Sequence, residues 1–466
     1  MAIATVNPTT GQTEQTFEPH DQAAVEQRLA RAHALFPDYR ATSFVERARW
    51  MVTAAELLEG ELPQVARVLT TEMGKTFASA KGETAKCANA MRWMAEHAQT
   101  LLADQPAQTK AADSRAVFEP MGPVLAVMPW NFPLWQVVRF AAPALMAGNL
   151  GLLKHASNVP QTALLLEDLF RRAGFPEGVF QTLLIGSAQV ADVIADDRVR
   201  AVTLTGSEGA GRSVAEAAGR ALKKSVLELG GSDPFVVLPS ADLSRAVAVG
   251  VEARVQNNGQ SCIAAKRFIV HTDVYDEFLG AFTKAMADLT VGDPFDNATA
   301  VGPLATAQGR DDVAAQVDDA RRNGAEILCG GQVPDGPGFF YPPTVITGIT
   351  PDMRVATEEV FGPVALVFRA EDTEDALRTA NDTRFGLGSS VWTNDEAERR
   401  LFVDGLQAGM VYVNAMVASQ PELPFGGTKA SGYGRELAAF GIREFCEVKT
   451  VYVAAGASDA ATIVGD

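Results

Sequence analysis

Apolar residues in the first hundred positions recur at the spacing of a helix. One helical face carries Val25, Leu29, Ala32 and Phe36. Ser43 stands three residues before Glu46, a pairing typical of a capping box, and an amphipathic pattern follows from Ala48 to Leu58. Residues 21–104 are therefore predicted to form helices.

The pattern changes at Val124, where short apolar runs begin to alternate with amphipathic segments. The apolar runs predict strands at Val124–Met128, Leu150–Leu153, Gln181–Ile185, Ala201–Thr205 and Val226–Leu229. The segments between most of them predict helices at Gln136–Ala147, Pro160–Ala173, Ala188–Ala195 and Gly211–Leu222. Strands that alternate with helices pair in parallel, so this region predicts a parallel sheet with helices on both faces.

A second alternating region runs from Gly231 to about Asn414. It predicts strands at Phe235–Leu238, Phe268–His271, Val364–Phe368 and Met410–Asn414, and helices at Asp242–Gln256 and Asp273–Leu289. Short strands are also expected at Arg115–Glu119 and Cys446–Val453, the second of which alternates like an edge strand that pairs with a partner subunit. A frayed end is expected from Ala454 to Asp466.

Composition narrows the class of protein. With 466 residues the chain is too long for one core, which predicts two or three domains. The net charge of −17 argues against nucleic acid and anionic membranes as partners. The uncharged stretch from Pro120 to Val138 contains four prolines, which would break a spanning helix. Met1–Gly11 lacks the pattern of a signal peptide, so a cytoplasmic location is expected.

The four cysteines lie far apart in the sequence. Neither a disulfide framework nor a zinc site is expected, because no CxxC or HxxxH spacing occurs. Cys262 falls in the loop-forming stretch NGQSC, where an ionised thiol would be an accessible nucleophile. Glu228 ends an apolar run just before Gly230-Gly231, a setting that favours a carboxylate in a cleft and a role as general base.

A glycine loop follows one of the predicted strands. Gly206 to Gly211, which includes Ser207, opens a helix whose first N–H groups favour phosphate, although an ordinary strand–helix turn also uses glycine. The loop lacks the GxGxxG spacing. It nearly matches a P-loop, but Arg212 stands where that motif needs lysine, which makes a nucleotide-hydrolysing protein the weaker alternative.

Three further positions carry candidate polar contacts. Asn131, between Pro129 and Pro133, offers an amide to a developing oxyanion or is a structural turn residue. Lys154 and Ser157 follow a predicted parallel strand, where they would face a bound cofactor, whereas a solvated lysine is the plainer alternative. Glu359 lies in the acidic turn EEVFGP, which fits either a ribose contact or a solvent-facing loop.

The order of these motifs resembles the aldehyde dehydrogenase superfamily over nearly the whole chain. The resemblance is carried by Asn131 in PWNFP, Lys154, the Gly206–Gly211 loop, Glu228 in LELGG, Cys262 in GQSC and Glu359 in EEVFGP. It implies an α/β fold with a Rossmann-like parallel-sheet cofactor domain (residues 1–110 and 124–229), an α/β catalytic domain (230–425) and a small bridging β oligomerisation element (111–123 and 426–466). It also implies a homodimer or homotetramer. A non-catalytic protein that keeps only the fold is the other alternative.

The resemblance also implies the roles of individual residues. The catalytic set would be Cys262 as nucleophile, Glu228 as base and Asn131 as oxyanion donor. The implied cofactor contacts are Trp130, Lys154, Ser157, Gly206, Ser207, Gly211, Leu229, Glu359 and Phe361. Because the intact Glu228 would activate water, CoA-acylating relatives fit less well.

Within the superfamily the chain most resembles the NADP-preferring succinate-semialdehyde dehydrogenases, on the segments KHAS at 154–157 and GQSCIAAKR at 259–267. Ser157 with Lys154 would accept the 2′-phosphate of NADP, with NAD a weaker cofactor. Arg139 would bind the substrate carboxylate and Ser419 would be its hydroxyl partner. Gln256 stands where some members have a second arginine, which leaves another small semialdehyde or a medium-chain aldehyde as the alternative substrate. Ala264 stands where some carry a redox-switch cysteine.

Overall fold

The computed structural model describes residues 2–454. Its strands are β1 Ile3–Asn7, β2 Gln12–Phe17, β3 Gln105–Pro106, β4 Asp113–Pro120, β5 Pro123–Met128, β6 Leu150–His155, β7 Phe180–Thr182, β8 Ala201–Thr205, β9 Lys224–Glu228, β10 Asp233–Val237, β11 Ala265–His271, β12 Glu326–Cys329, β13 Thr344–Thr347, β14 Val364–Ala370, β15 Ser390–Trp392, β16 Tyr412–Val413, β17 Gly432–Tyr433 and β18 Cys446–Val453. Its α-helices are α1 Gln22–Arg40, α2 Phe44–Gly60, α3 Leu62–Met73, α4 Phe77–Leu101, α5 Trp135–Ala147, α6 Pro160–Arg172, α7 Val190–Ala195, α8 Glu208–Arg220, α9 Leu243–Val255, α10 Thr272–Ala287, α11 Ala307–Arg322, α12 Arg354–Thr357, α13 Thr373–Asn381, α14 Glu396–Gly405 and α15 Ala438–Glu444.

The predicted N-terminal helices are present as α1 to α4. The capping box is confirmed, since the Ser43 hydroxyl accepts from the Glu46 backbone N–H and the Glu46 carboxylate accepts from the Ser43 N–H. The residues before α1, for which no element was predicted, form the antiparallel hairpin of β1 and β2. Its short, largely exposed second strand lacks the apolar alternation that would have revealed it.

The first sheet has six strands in the order β17-β9-β8-β5-β6-β7. All pairs are parallel except β17 with β9. The chain builds outward from β5 to β7, then crosses back to place β8 on the other side of β5. Loops after the carboxyl ends of strands on either side of such a switch point leave a crevice for ligands. The turn after β5, the segment after β6 and the glycine loop after β8 all lie at this end.

The second sheet has seven strands in the order β12-β13-β14-β11-β10-β15-β16 and is parallel except for the edge pair of β12 and β13. The α/β class with parallel sheets is thus confirmed. The first sheet leads directly into the second, because only residues 229–232 separate β9 from β10. This short connection carries the end of β9, with Glu228, to the junction of the two sheets.

A three-stranded antiparallel sheet, β18-β4-β3, stands apart from both. Cys446 to Val453 pairs with residues 113–120 along its full length, and its side chains are largely exposed. Residues 432–433 pair instead with β9 of the first sheet. The predicted division into domains stays a prediction, and the frayed end expected at the C-terminus falls, from residue 455 onward, outside the described residues.

Two of the helices matter most for the site. Helix α5 is buried along its whole length, including Arg139, and it ends at Gly148 in a left-handed conformation. Helix α4 packs against α2, α3 and α5. Among the described residues, none of the helices combines the length and apolar character that crossing a bilayer requires.

Candidate active site

A cavity of about 230 Å³ opens beside Cys262. Its walls come from α4, α5, the turn before β11 and the segment after β16. The lining residues are Lys86, Phe132, Trp135, Gln136, Arg139, Gln256, Ser261, Cys262, Ile263, Met416, Val417, Ala418, Ser419 and Phe425. The cavity therefore joins a thiol to two cations and three aromatic side chains within a space suited to a molecule of a few carbon atoms.

Cys262 is placed by an unusual turn. Asn257, Asn258 and Gly259 follow one another with positive φ, which asparagine and glycine tolerate best. A Cβ on Gly259 would lie 2.4 Å from the backbone of Gly362, so only glycine fits there. The buried Arg254 guanidinium donates to the Gly259 carbonyl at 2.7 Å and holds the turn from below.

Side-chain amides fasten this turn to its surroundings. The Asn258 amide donates to the carbonyls of Gly74 and Pro303 at 2.8 and 2.9 Å, and its oxygen accepts from the Gly302 N–H. The Asn257 amide donates to the Asn131 and Gln260 carbonyls at 2.7 and 3.0 Å. Together these hydrogen bonds hold residues 257–262, the nucleophile turn, in a single conformation.

Asn131 lies against the same turn. Its Nδ2 donates to the Gln260 carbonyl at 3.0 Å, which places the amide two residues from Cys262 in sequence and leaves its second N–H for another acceptor. The residue is buried, as an oxyanion donor must be to act in a medium of low polarity. The structure places Asn131 against the turn that leads to Cys262, although Asn131 is not among the residues that line the 230 Å³ cavity.

The start of helix α5, just after Asn131, is held by a buried carboxylate that the sequence did not reveal. Glu83 accepts from the backbone N–H groups of Leu134 and Trp135 at 2.9 and 2.8 Å and pairs with the fully buried Lys75. The Lys75 ammonium in turn lies over the Phe132 ring. Helix α4 thus fixes the turn that carries Asn131.

The surroundings of the Cys262 thiol favour its neutral form. Burial raises its pKa to about 12, although the charges of Arg139 and Lys266 act in the opposite direction. The Lys266 ammonium donates to the carbonyls of Ser261 and Cys262 at 2.8 and 2.9 Å. The two cations favour the thiolate, which is the form that acts as a nucleophile.

Glu228 is buried at the end of β9, and its carboxylate faces Gly426, where a Cβ would come 2.6 Å from Oε1. Neither of its oxygens has a hydrogen-bond partner among the described residues. Burial, and then the neighbouring carboxylate of Glu436, raise its pKa well above the usual value, while Arg139 and Arg435 oppose that rise. Glu228 lies outside the lining of the 230 Å³ cavity, so the structure places the predicted base next to the cavity rather than inside it.

Arg139 lines the cavity but is not free of counter-charge. Its Nε pairs with the buried carboxylate of Glu436, which lies 297 residues away in the sequence. The guanidinium also lies 4.3 Å from the centre of the Phe425 ring. A buried charge needs such a partner, because desolvation of an unpaired guanidinium would be costly.

Ser419 lies on the wall of the cavity, as predicted, in a cluster with two residues of the helices. Its hydroxyl accepts from Lys86 Nζ at 2.7 Å and from the Trp135 indole N–H at 3.0 Å. Lys86 lies over the Trp135 ring at 4.3 Å. Sequence reasoning did not single out Lys86, because on its own it is one more lysine on an amphipathic helix.

A groove of about 1250 Å³ runs along the carboxyl ends of the first sheet. Its walls include five of the predicted cofactor contacts, Trp130, Lys154, Ser157, Glu359 and Phe361. The rings of Trp130 and Phe361 meet edge to face with centroids 5.8 Å apart. The groove is large enough for a dinucleotide, and its cation and hydroxyl at the end of β6 suit a phosphate.

The other four predicted cofactor contacts, Gly206, Ser207, Gly211 and Leu229, are not in the lining of that groove. Ser207 caps α8 by accepting from the Ala210 N–H, so the helix begins at Glu208, three residues before the predicted start. A Cβ on Gly211 would lie 2.6 Å from the Leu229 side chain. Close packing of helix on strand therefore explains this glycine. Arg212, at the P-loop lysine position, pairs with Glu208 instead.

Glu359 connects the groove with the nucleophile turn. Its carboxylate accepts from the Gly231 N–H at 3.1 Å and pairs with Lys266 at 3.2 Å. Lys266 also donates to the Cys262 carbonyl, so one buried lysine joins the two. In residues 2–454 no group of three or more His, Cys, Asp or Glu side chains is arranged to hold a metal ion.

Comparisons with known proteins agree with this arrangement. Residues 1–451 match the Aldehyde dehydrogenase family. The chain is 60% identical to succinate-semialdehyde dehydrogenase (NADP(+)) 1 of Mycobacterium tuberculosis, over 97% of this chain and 100% of that protein. It is also 60% identical to succinate-semialdehyde dehydrogenase (NADP(+)) of Mycobacterium avium, with 98% of each chain covered.

A solved structure gives the same result in three dimensions. The chain is similar to the succinic semialdehyde dehydrogenase from Streptococcus pyogenes in complex with NADP+ as the cofactor, with a TM-score of 0.95 and 38% identity over 97% of this chain and 100% of that one. Since sequence and fold match along almost the entire length, this chain belongs to the aldehyde dehydrogenase family.

Proposed function

We propose that the chain oxidises succinate semialdehyde to succinate with NADP as the electron acceptor. The observation that carries the proposal is the 230 Å³ cavity, which has the Cys262 thiol together with cationic and hydroxyl groups on its walls. A short semialdehyde fits this cavity, because its aldehyde group can reach the thiol while its carboxylate meets the cations. Relatives at 60% identity carry the name of that activity.

The reaction begins at Cys262, whose thiol passes its proton to water and whose sulfur then attacks the aldehyde carbon. The oxyanion that forms accepts from the free Asn131 amide N–H and the Cys262 backbone N–H, and one such donor contributes about 3 kcal/mol to the transition state. Arg139 and Lys266 favour the thiolate over the thiol. Bound NADP would supply the acceptor for the hydride that leaves the aldehyde carbon. Cys262 then carries a thioester.

Hydrolysis of the thioester falls to Glu228. We infer that its side chain turns from the Gly426 side toward the sulfur and takes a proton from water. The water oxygen then bonds to the thioester carbon, the carbon–sulfur bond breaks, and the acid leaves while Cys262 regains its sulfur as a thiolate. Burial and the carboxylate of Glu436 raise the pKa of this carboxyl, which makes its ionised form a stronger proton acceptor. Arg139 and Ser419 are proposed to contact the far carboxylate of the substrate.

The preference for NADP rests on the groove. Lys154 and Ser157 stand at the end of β6 without a carboxylate beside them in the sequence, so they would attract rather than repel a 2′-phosphate. Glu359 and Trp130 would contact the remainder of the cofactor. Burial lowers the pKa of Lys154, and a bound phosphate would raise it again.

A panel of aldehydes tests the proposal. Succinate semialdehyde, glutarate semialdehyde, butanal and hexanal are each assayed with NADP and with NAD by the absorbance of the reduced nicotinamide. The highest kcat/KM is expected for succinate semialdehyde with NADP. A higher value for hexanal or for the longer semialdehyde would favour the alternative substrates that the neutral Gln256 leaves open.

The assembly is also proposed rather than observed. The exposed residues of β18, among them Val448 and Tyr452, and the free edge of that strand support a homodimer or homotetramer in which the three-stranded sheet extends into a partner. A cytoplasmic location remains a prediction. Light scattering of the purified chain would give the number of subunits.

A further inference from the structure

We propose that Lys86 is the principal cation for the far carboxylate of the substrate and determines the preference for a semialdehyde over an uncharged aldehyde. Lys86 thereby joins Arg139 and Ser419, which are proposed above to contact that carboxylate, in one subsite. This inference rests on the proposed function, because it assumes that the substrate carries a carboxylate. It assigns the dominant charge to helix α4, rather than to Arg139 on helix α5.

The first argument is position. Lys86 and Cys262 line the same 230 Å³ cavity, so a ligand bound to the sulfur lies within one small space with the lysine. The Lys86 ammonium donates to the Ser419 hydroxyl at 2.7 Å and lies over the Trp135 ring at 4.3 Å. Because the indole N–H also donates to Ser419, three side chains fix one another, and the lysine is positioned before substrate arrives.

The second argument is charge. Among residues 2–454 no carboxylate lies within ion-pair distance of Lys86 Nζ, whereas Arg139, the other cation of the lining, pairs with Glu436. The nearby Glu83 is occupied by Lys75 and by two backbone N–H groups. A partly buried ammonium without an anion is costly to hold, and a ligand carboxylate would supply what the fold leaves out.

The remaining long polar side chains of the lining carry no charge. Gln136 and Gln256 offer amides, which bind a carboxylate more weakly than an ammonium does. Ser419 accepts two hydrogen bonds from Lys86 and Trp135, so its own O–H remains to be donated to an anion. The subsite therefore presents one cation and one hydroxyl donor side by side.

The subsite also responds to pH. Burial lowers the pKa of Lys86 to about 8. The groups that act on it are Cys87 and Glu83, which raise its pKa, and Arg139 and Lys75, which lower it. Burial raises the pKa of Cys87 well above its usual value, which favours the neutral thiol and leaves Glu83 as the anionic group that acts on Lys86. Lys86 is charged below about pH 8 and loses its charge above it, so the advantage of a carboxylate substrate must fall as pH rises through that value.

The experiment compares Lys86→Met and Lys86→Arg with the wild-type enzyme, using succinate semialdehyde and butanal, which has the same number of carbons and no charge. Lys81→Met is the matched control, since Lys81 lies on the same helix, contacts Phe77 and is absent from the cavity lining. Lys86→Met is expected to lower kcat/KM for succinate semialdehyde by about 10- to 100-fold, mostly through KM, as loss of one charged hydrogen bond does. The values for butanal should stay within about 2-fold, and Lys86→Arg should recover most of the loss.

Two further measurements separate a binding role from a structural one. In the wild type, the ratio of kcat/KM for the two aldehydes should fall between pH 7 and 9, and in Lys86→Met it should be low and flat. The Kd of succinate, measured by calorimetry, should rise in Lys86→Met and not in Lys81→Met. Equal losses for both aldehydes, or an unchanged Kd, would overturn the inference. A wild-type enzyme that does not prefer succinate semialdehyde to butanal would instead contradict the proposed function.

Discussion

Two parts of the site are built in opposite ways. One is the nucleophile turn, residues 257–262, and the other is the acidic side, formed by Glu228 and Glu436. Around Cys262 the backbone is held by uncharged amides and by two cations that donate to carbonyls, and Asn258 alone makes three hydrogen bonds. Around Glu228 the carboxylates are buried, close to one another and without hydrogen-bond partners among the described residues, apart from the pair that Glu436 makes with Arg139.

The two constructions match the different chemical tasks proposed for Cys262 and Glu228. A nucleophile must meet a carbon atom at one angle, and this requirement rewards a fixed backbone. A group that takes a proton from water and later releases it must change charge, and this requirement rewards a carboxyl whose neutral and ionised forms are close in free energy. Burial and the charge of Glu436 raise the pKa of Glu228, while Arg139 limits the rise.

Removal of the Cys262 sulfur is expected to reduce activity more than any other single change to the site. Cys262→Ala should lower kcat by at least about 10⁴-fold, because the fixed turn then holds nothing that can attack. Cys329→Ala is the matched control, since Cys329 lies on β12 at the edge of the second sheet. Aldehyde-dependent formation of reduced cofactor gives the rates. Turnover of the Cys262 variant above about 1% of wild type would assign the chemistry to another group.

The next prediction concerns the acidic side alone. Glu228→Gln keeps the shape of the side chain and removes the base, so steady-state turnover should fall by about 10²- to 10⁴-fold. The first half of the reaction does not need the carboxylate. Rapid mixing should therefore still give a burst of reduced cofactor close to one equivalent per subunit, with an acyl group on the peptide that contains Cys262.

Loss of the burst together with turnover would show that Glu228 is also needed to deprotonate the thiol. Burial raises the pKa of the Cys262 thiol to about 12, and a thiol with a raised pKa depends more strongly on a base that takes its proton. Such a loss would mean that Glu228 serves both half-reactions, so Cys262 and Glu228 would act as one acid–base pair.

Much of the molecule could be predicted from local pattern. The strands and helices around the first sheet follow from apolar runs and helical spacing, and Asn131, Glu228 and Cys262 each stand in a short motif. The second sheet was harder, because α11, α13 and α14 carry many charges and few apolar residues between its strands. Strand β16 is only two residues long, whereas Met410–Asn414 was predicted, since the pattern does not show where pairing stops.

The supports of the site could not be predicted, for a physical reason. Arg139 and Glu436 meet only because α5 and the segment before α15 pack together, and Lys86 reaches Ser419 across 333 residues. Neither pair leaves a signal in its own neighbourhood. Long-range packing also explains the missed contact between Lys266 and Glu359, and the close approach that makes Gly211 a packing residue rather than a groove residue.

The last prediction concerns the influence of the Glu436 carboxylate on the pKa of Glu228, and its effect should be small. Glu436→Gln removes the charge that, after burial, does most to raise the pKa of Glu228, and it frees Arg139 to act on Glu228 alone. Both changes favour the ionised base, so the acid limb of the kcat profile should move to lower pH. Glu444→Gln is the matched control, because Glu444 acts on Glu228 in the same direction but least of the four charged neighbours.

The profile is measured as kcat against pH in the range where hydrolysis of the thioester limits turnover, which the burst amplitude identifies at each pH. A larger shift toward low pH in Glu436→Gln than in Glu444→Gln is the expected order. If the Glu436 variant shifts toward high pH, the Glu436 charge would have to be stabilising the ionised base, for instance by holding Arg139 in place. The acidic side would then be fixed by its ion pair, and it would resemble the nucleophile turn after all.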